Sequence, residues 1–284
     1  MADHPTPRIP DMLLNDGTTI PQLGFGVWQV PNDEVGAAVT EALNAGYRAI
    51  DTAQGYDNEE GVGRALRESG VPRGDVYVTS KLRTKLLGYD EAQRGIEQSL
   101  DALGLDQLDL FLIHWPCPAL DRYADAWRGL VQARANGLVK SIGVSNFLPG
   151  HIDRIVDETG VLPAINQLET HPHFQQRDVR DYHQRMTIQL ESYSPLGSGA
   201  DLDDPDLRRI AEKHGKSVAQ VILRWHIEQR LVAIPKSVTP ERIRENLDVF
   251  DFSLDAEDQK LIDALDDPVG GRTGSDPARF NDLY

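Results

Sequence analysis

"DEVGAAVTEALNAGYRAIDTAQGY", residues 33–56, sets a helix, a strand and a group of polar residues in immediate succession. Val35, Ala38, Val39, Ala42 and Leu43 fall at helical spacing and share one face, and Gly46 suits the end of that helix. "YRAIDTA" (47–53) then reads as a short buried strand. It runs into Asp51 and, one loop later, Tyr56. Acidic residues stand where a helix dipole favours them: Asp33 and Glu34 here, Asp90 and Glu91 at the start of "DEAQRGIEQSLDALG" (90–104).

The unit recurs in both directions along the chain. Apolar runs occur at 23–28, 47–53, 76–82, 108–115, 140–147, 163–169, 187–196 and 231–238, with helical stretches between them. Strands separated by helices pair in parallel, because each return needs a crossover. Eight of them predict a closed (β/α)8 TIM barrel rather than an open doubly wound sheet. "MLLNDGTTIPQ" (12–22) reads as a hairpin turning at Asn15-Asp16-Gly17 and closing the bottom of the barrel. With no low-complexity linker, residues 1–284 are expected to form one domain, with 1–10 flexible and 267–284 a C-terminal tail.

Composition narrows the function. A net charge of −16 argues against a nucleic-acid partner. The single cysteine, Cys117, excludes an intrachain disulfide and fits a reducing compartment. No stretch has the pattern of a signal peptide or membrane span, so a cytoplasmic protein is expected, and a monomer is the expected state.

In a barrel, chemistry gathers where the strands end. Here the strand ends carry Asp51 with Tyr56, Ser80-Lys81, His114-Trp115, Ser145-Asn146, Asn166-Gln167, Tyr193-Ser194 and Lys236-Ser237. Burying Asp, Lys and His together is costly unless they pair. Paired, they make a proton donor from a tyrosine. A free phenol is a weak acid, and a nearby ammonium stabilises its phenolate and is expected to lower its pKa. Asp51 would hold Lys81 charged, and His114 would orient a carbonyl oxygen. Reducing that carbonyl needs a hydride, which no side chain supplies, so a cofactor is implied. "LGFGVW" (23–28) holds only a G-x-G, so a Rossmann fingerprint is absent.

"GYRAIDTAQGYDNEEGVGRAL", "VTSKL", "LFLIHWP", "IGVSNF", "INQLE", "SYSPLG" and "IPKSVTPERIRENL" resemble, in order, the successive motifs of the aldo-keto reductase family, in particular its prokaryotic 2,5-diketo-gluconate reductase-like branch. The resemblance implies an (α/β)8 barrel, bound NADPH, and Asp51, Tyr56, Lys81 and His114 as the catalytic tetrad. It implies that Ser145, Asn146 and Gln167 hold the nicotinamide carboxamide and that the Tyr193 ring stacks on the nicotinamide. Ser194, Leu196, Gly197 and Ser198 would follow the pyrophosphate. Lys236, Ser237 and Arg242 would take the 2′-phosphate, Val238 would be a further cofactor contact, and Glu245 and Asn246 would face the adenine. Trp28, Trp115 and His114 would line the substrate site.

Other features divide the alternatives. Arg83 and Thr84 stand where many family members carry an aromatic residue and an asparagine, and Arg83 is read either as binding an anionic substrate or as facing water. The loop after His114 and the C-terminal tail are short, which predicts an open pocket for small dicarbonyls, aldehydes or keto-sugar acids. A nucleotide-sensing regulatory subunit on the same fold is the alternative to an enzyme. His171 and His173 invite a metal-dependent isomerase reading, yet no carboxylate and histidine set of known ligand spacing accompanies them, and no metal is expected. Trp127 falls in a helical pattern and is read as core.

Overall fold

An Asn-Asp-Gly turn between two short apolar runs joins β1 (Asp11–Leu13) to the antiparallel β2 (Thr19–Pro21), with Met12 opposite Ile20. The computed structural model describes residues 9–284. The hairpin seals the N-terminal end of a barrel: Leu14 and Ile20 pack against Leu110, Leu112, Ile165 and Val232. The turn is tied down as well, Asn15 Nδ2 donating to the Pro163 carbonyl (2.9 Å) and Ser141 Oγ to Asp16 (2.7 Å). Most of the stretch expected to be flexible, residues 1–8, lies outside the described residues. Ile9 lies against the core, and the Pro10 carbonyl accepts from Gln22 N.

The eight apolar runs become β3 (Phe25–Gly26), β4 (Ala49–Asp51), β5 (Tyr77–Leu82), β6 (Leu108–Ile113), β7 (Val139–Ser145), β8 (Ile165–Glu169), β9 (Gln189–Tyr193) and β10 (Val232–Ala233). They pair in parallel in sequence order. A parallel bridge between Leu23 and Ala233 joins last to first. The barrel is closed.

At that seam the regular strands are far shorter than the apolar runs suggest. Pro235 has no N–H to extend the ladder, so its carbonyl accepts from Gly26 N (3.1 Å) and the register ends. Glycine on the other side allows the close approach, since a Cβ on Gly26 would sit 3.0 Å from the Ile234 carbonyl oxygen and crowd it.

The crossovers are α1 (Val35–Ala45), α2 (Glu59–Glu68), α3 (Tyr89–Leu103), α4 (Tyr123–Ala135), α5 (Pro149–Thr159), α6 (Arg177–Met186) and, after α7 (Pro205–His214), α8 (Val218–Glu228). After β10 come α9 (Pro240–Leu247) and α10 (Ala256–Asp263). The five residues read as the apolar face of α1 are the five it buries, and Gly46 ends it in left-handed backbone. Asp90 and Glu91 fall in the first turn of α3, whereas Asp33 and Glu34 stop just short of α1. Trp127 is core, as expected, its indole N–H donating to the Val161 carbonyl. Each fully buried Leu, Ile or Val contributes about 1.5–3 kcal/mol.

Parallel order puts every strand's C-terminal end at one mouth. Beyond α10 the chain turns back across that mouth. Glu169 fixes the crossing by accepting from Thr273 N (2.5 Å), Thr273 Oγ1 (2.7 Å) and Gly274 N (2.9 Å).

Candidate active site

Asp51 ends β4, and the turn at Gln54–Tyr56 swings the Tyr56 ring back over the mouth. Asn58 steadies this loop by donating to the carbonyls of Val27 (2.9 Å) and Val30 (3.0 Å) while accepting from Thr52 Oγ1 (2.7 Å). Lys81, on β5, has no exposed surface. Its Nζ lies 2.5 Å from Asp51 Oδ1, 3.0 Å from the Thr52 carbonyl and 3.2 Å from Tyr56 Oη. His114 follows β6, its ring edge-on to Tyr56 with centroids 5.6 Å apart. The four residues predicted as a unit are assembled as one.

Their electrostatics differ from the sequence expectation in one respect. Burial works to neutralise Lys81, but the Asp51 carboxylate and the phenol outweigh it and hold the ammonium charged, its pKa raised. For Tyr56, burial raises the pKa, Lys81 opposes it and Asp51 adds to the rise, leaving a net increase. The predicted net acidification is therefore corrected: desolvation of a phenolate at the barrel mouth exceeds the pull of one cation already shared with a carboxylate. Tyr56 stands protonated, as a proton donor must before transfer, and Lys81 is placed to receive the phenolate afterwards. Burial and then Lys81 push His114 well below the ordinary imidazole range, so it is neutral.

Beneath the tetrad lies an acid that the strand-end reading passed over. Glu191, on β9, is buried in the barrel, and burial followed by the nearby Asp51 charge raises its pKa to about 8. The Gln167 amide bridges the two acids, 2.8 Å from Asp51 Oδ2 and 2.8 Å from Glu191 Oε2. An ionisable residue in the middle of the apolar run 187–196 was the available signal.

The residues expected at the nicotinamide converge on the same cavity, about 440 Å³ in volume, which Asp51, Tyr56, His114, Ser145, Asn146, Gln167 and Tyr193 line. They are linked already: Tyr193 Oη donates to Asn146 Oδ1 (2.9 Å), and Asn146 Nδ2 donates to the His114 carbonyl (3.0 Å). Left-handed backbone at non-glycine residues gathers in the loops around this mouth, at Gln29, Asp57, Cys117, Asn146, Ser194 and Ser198.

The expected phosphate-side residues fall into two groups. Ser194 and Ser198 line the cavity and Lys236 reaches it from the far side. Leu196 is half-buried between the clusters of the core. The freedom at Gly197 is used internally, because a Cβ there would overlap Asp201. Ser237, Val238, Arg242, Glu245 and Asn246 continue from β10 into α9. Val238 and Arg242 are exposed and Asn246 is buried. Ser237 Oγ caps the loop by accepting from Thr239 N (3.2 Å). Neither Lys236 nor Arg242 has an ion-pair partner among the described residues, in a chain of net charge −16. Two uncommitted cations beside a hydroxyl suit a phosphate.

On the substrate side the tail changes the picture. Trp28 is half exposed at the rim, and Trp115 stacks on Phe280 at 4.1 Å between centroids. Tyr284 Oη lies 3.0 Å from His114 Nδ1. The predicted open pocket is thus corrected: the tail is short, but it folds in and supplies two aromatic walls. Arg83 is partly exposed, and its guanidinium reaches Asp57 and the Gln54 carbonyl in the tyrosine loop. Thr84 anchors the tail, accepting from Tyr284 N (2.9 Å) and donating to the Asp282 carbonyl (2.8 Å). Burial and then Asp282 push the Cys117 thiol up to about 11, which leaves it a poor nucleophile.

His171 and His173 meet Asp201 in one cluster. Both His171 nitrogens face carboxylates, Asp201 Oδ2 at 3.0 Å and Glu169 Oε1 at 3.3 Å. Burial opposes charge on this ring, but those two acids outweigh it and raise its pKa to about 9. The cluster ties the loop after β9 to the Glu169 that holds the tail.

A closed parallel barrel with a buried Asp–Lys–Tyr chain and a neutral histidine at its C-terminal mouth is a site for proton transfer to a carbonyl. The sequence model described as "Aldo/keto reductase family" matches residues 22–267. The methylglyoxal reductase DkgA of Escherichia coli (strain K12) is 48% identical over 269 residues, covering 94% of this chain and 96% of that protein. A crystal structure of an aldo/keto reductase from Brucella melitensis is 52% identical and superposes with a TM-score of 0.89, covering 91% of this chain and 98% of that one. A mutant of Gox0644 in complex with NADPH is 47% identical with a TM-score of 0.92, covering 96% of this chain and 98% of that one. The chain belongs to the aldo/keto reductase family.

Proposed function

We propose that this protein uses NADPH to reduce small neutral aldehydes and α-dicarbonyls of the methylglyoxal type to alcohols, as a single-domain monomer in the cytoplasm. The observation that carries the reading is the chain Asp51–Lys81–Tyr56, with contacts of 2.5 and 3.2 Å, opening on a cavity that His114 shares. The uncommitted Lys236 and Arg242 and the polar set Ser145, Asn146 and Gln167 fit the two ends of the dinucleotide, which supplies a hydride when bound.

The chain's own residues do the rest. His114 donates a hydrogen bond to the carbonyl oxygen and orients it against Tyr56. Tyr56 gives that oxygen its proton. Lys81 stabilises the phenolate left behind, and Asp51 keeps Lys81 charged and in place. The substrate class follows from the walls. Trp28, Trp115, Phe280 and Tyr284 are aromatic, and among the described residues lining the cavity the one lysine or arginine is Lys236, on the proposed cofactor side, which disfavours a keto-sugar acid. The DkgA relative's name points the same way. Loss of NADPH absorbance with methylglyoxal, phenylglyoxal, 2,5-diketo-gluconate and a ketosteroid tests the reading. The neutral dicarbonyls should give the highest kcat/KM, and a preference for the sugar acid or the steroid would overturn the substrate class.

A further inference from the structure

We infer that Tyr284 is a positioning residue for the reduction proposed above: its hydroxyl donates to His114 Nδ1 and so fixes the imidazole proton on Nε2, where it faces the substrate carbonyl. A neutral imidazole carries one ring proton, on either nitrogen. Only the Nε2–H form can donate into the cavity, since Nδ1 is turned toward Tyr284 at 3.0 Å. Something must choose between the two forms.

The choice follows from the inventory of donors and acceptors. Among the described residues, His114 Nδ1 is the one acceptor within hydrogen-bond distance of Tyr284 Oη, the neighbouring Trp115 indole can only donate to that oxygen, and His114 Nε2 has no partner. If Nδ1 carried the proton, the phenol would accept it and its own O–H would be left without an acceptor. With the phenol donating, both Tyr284 Oη and Nδ1 are satisfied and Nε2–H is free for the ligand. Burial raises the Tyr284 pKa, so the phenol keeps its proton across the working range.

The rest of the tail is built to hold this contact. Thr84 Oγ1 takes Tyr284 N at 2.9 Å and gives to the Asp282 carbonyl at 2.8 Å, and Lys85 N donates to the Tyr284 carbonyl at 3.3 Å. Phe280, stacked on Trp115, fixes the segment four residues earlier. The Tyr284 ring also lies over Gly55, where a Cβ would overlap it, so the loop that carries Tyr56 is shaped to receive it. Thr84, one of the two departures from the family pattern, thereby acquires a role.

The test combines a spectrum with kinetics. In long-range 1H–15N spectra of histidine-labelled protein, wild-type His114 should appear as the Nε2–H tautomer, and Tyr284→Phe should shift it to a mixture. For a small aldehyde, kcat of Tyr284→Phe should fall by about five- to ten-fold, the worth of one neutral hydrogen bond, with NADPH affinity unchanged. Thr84→Val, which keeps the phenol but loosens its anchor, should fall less. A wild-type spectrum with the proton on Nδ1 overturns the inference. So does a Tyr284→Phe protein that keeps the tautomer or holds kcat within two-fold. The tautomer is read without turnover, so a wild type that reduced no carbonyl would refute the reductase reading alone.

Discussion

Replacing Lys81 by methionine keeps most of the side-chain volume and removes the charge, so its effects can be worked from three contacts. Asp51 loses an ammonium at 2.5 Å and, only 3% exposed, retains Gln167 as a donor. Breaking a buried pair by removing one partner costs about 3–5 kcal/mol. At about 2 °C per kcal/mol for a chain of this size, the melting temperature should drop by roughly 6–10 °C. Because pairing raises the Lys81 pKa, its contribution is fully present below the unfolded value and lost only as pH rises through the folded one. The drop should therefore be constant from about pH 6 to 7 and deepen above 8, where Glu191, whose ionisation Lys81 favours, gives up its proton. Adding Asp51→Asn removes the stranded carboxylate and should recover most of the stability. Activity should not recover, since the phenolate still has no cation, and a loss of about 10²–10⁴ in kcat is expected for both variants. Calorimetry and steady-state reduction of methylglyoxal read the two effects separately. A double variant that melts like wild type and turns over within ten-fold of it would refute the role given to Lys81.

Arg242→Ala removes an uncommitted cation beside the proposed 2′-phosphate position and should weaken NADPH binding by about 10- to 100-fold while leaving NADH binding nearly unchanged. Equal loss for both cofactors, in a fluorescence titration, would place the residue elsewhere. His171, raised from the ordinary imidazole value to about 9, stabilises the fold fully below about 6.5, and this stabilisation is lost as pH rises through 9. An NMR titration should find its midpoint near 9, with amide exchange at Thr273 and Gly274 quickening over the same interval. A midpoint below 7 would show that the link from His171 through Glu169 to the tail is not an ionic one.

The barrel was legible because its information is local. Each helix advertises one apolar face, as Val35 to Leu43 do, and each strand ends in a polar group set against an apolar run. Asp51, Lys81 and His114 stand out for that reason, and Tyr56 follows from proximity to the first. The seam strands are shorter than their apolar runs, Leu23–Trp28 and Leu231–Ile234, suggest, because the ladder is limited by Pro235 and by how closely two backbones approach. Tyr284 was not legible at all. It lies 170 residues from His114, in a polar tail with no periodicity, and its place depends on a threonine after β5. The phenol's net pKa was misjudged for a related reason, since charge partners can be guessed from sequence and the depth of desolvation cannot.

The central claim is that Tyr56 delivers the proton. Single-turnover reduction of methylglyoxal by Tyr56→Phe, with NADPH binding followed by fluorescence in the same samples, tests it most directly. The account predicts unchanged cofactor affinity and a reduction rate lower by about 10²–10⁴. A rate within ten-fold of wild type would contradict it.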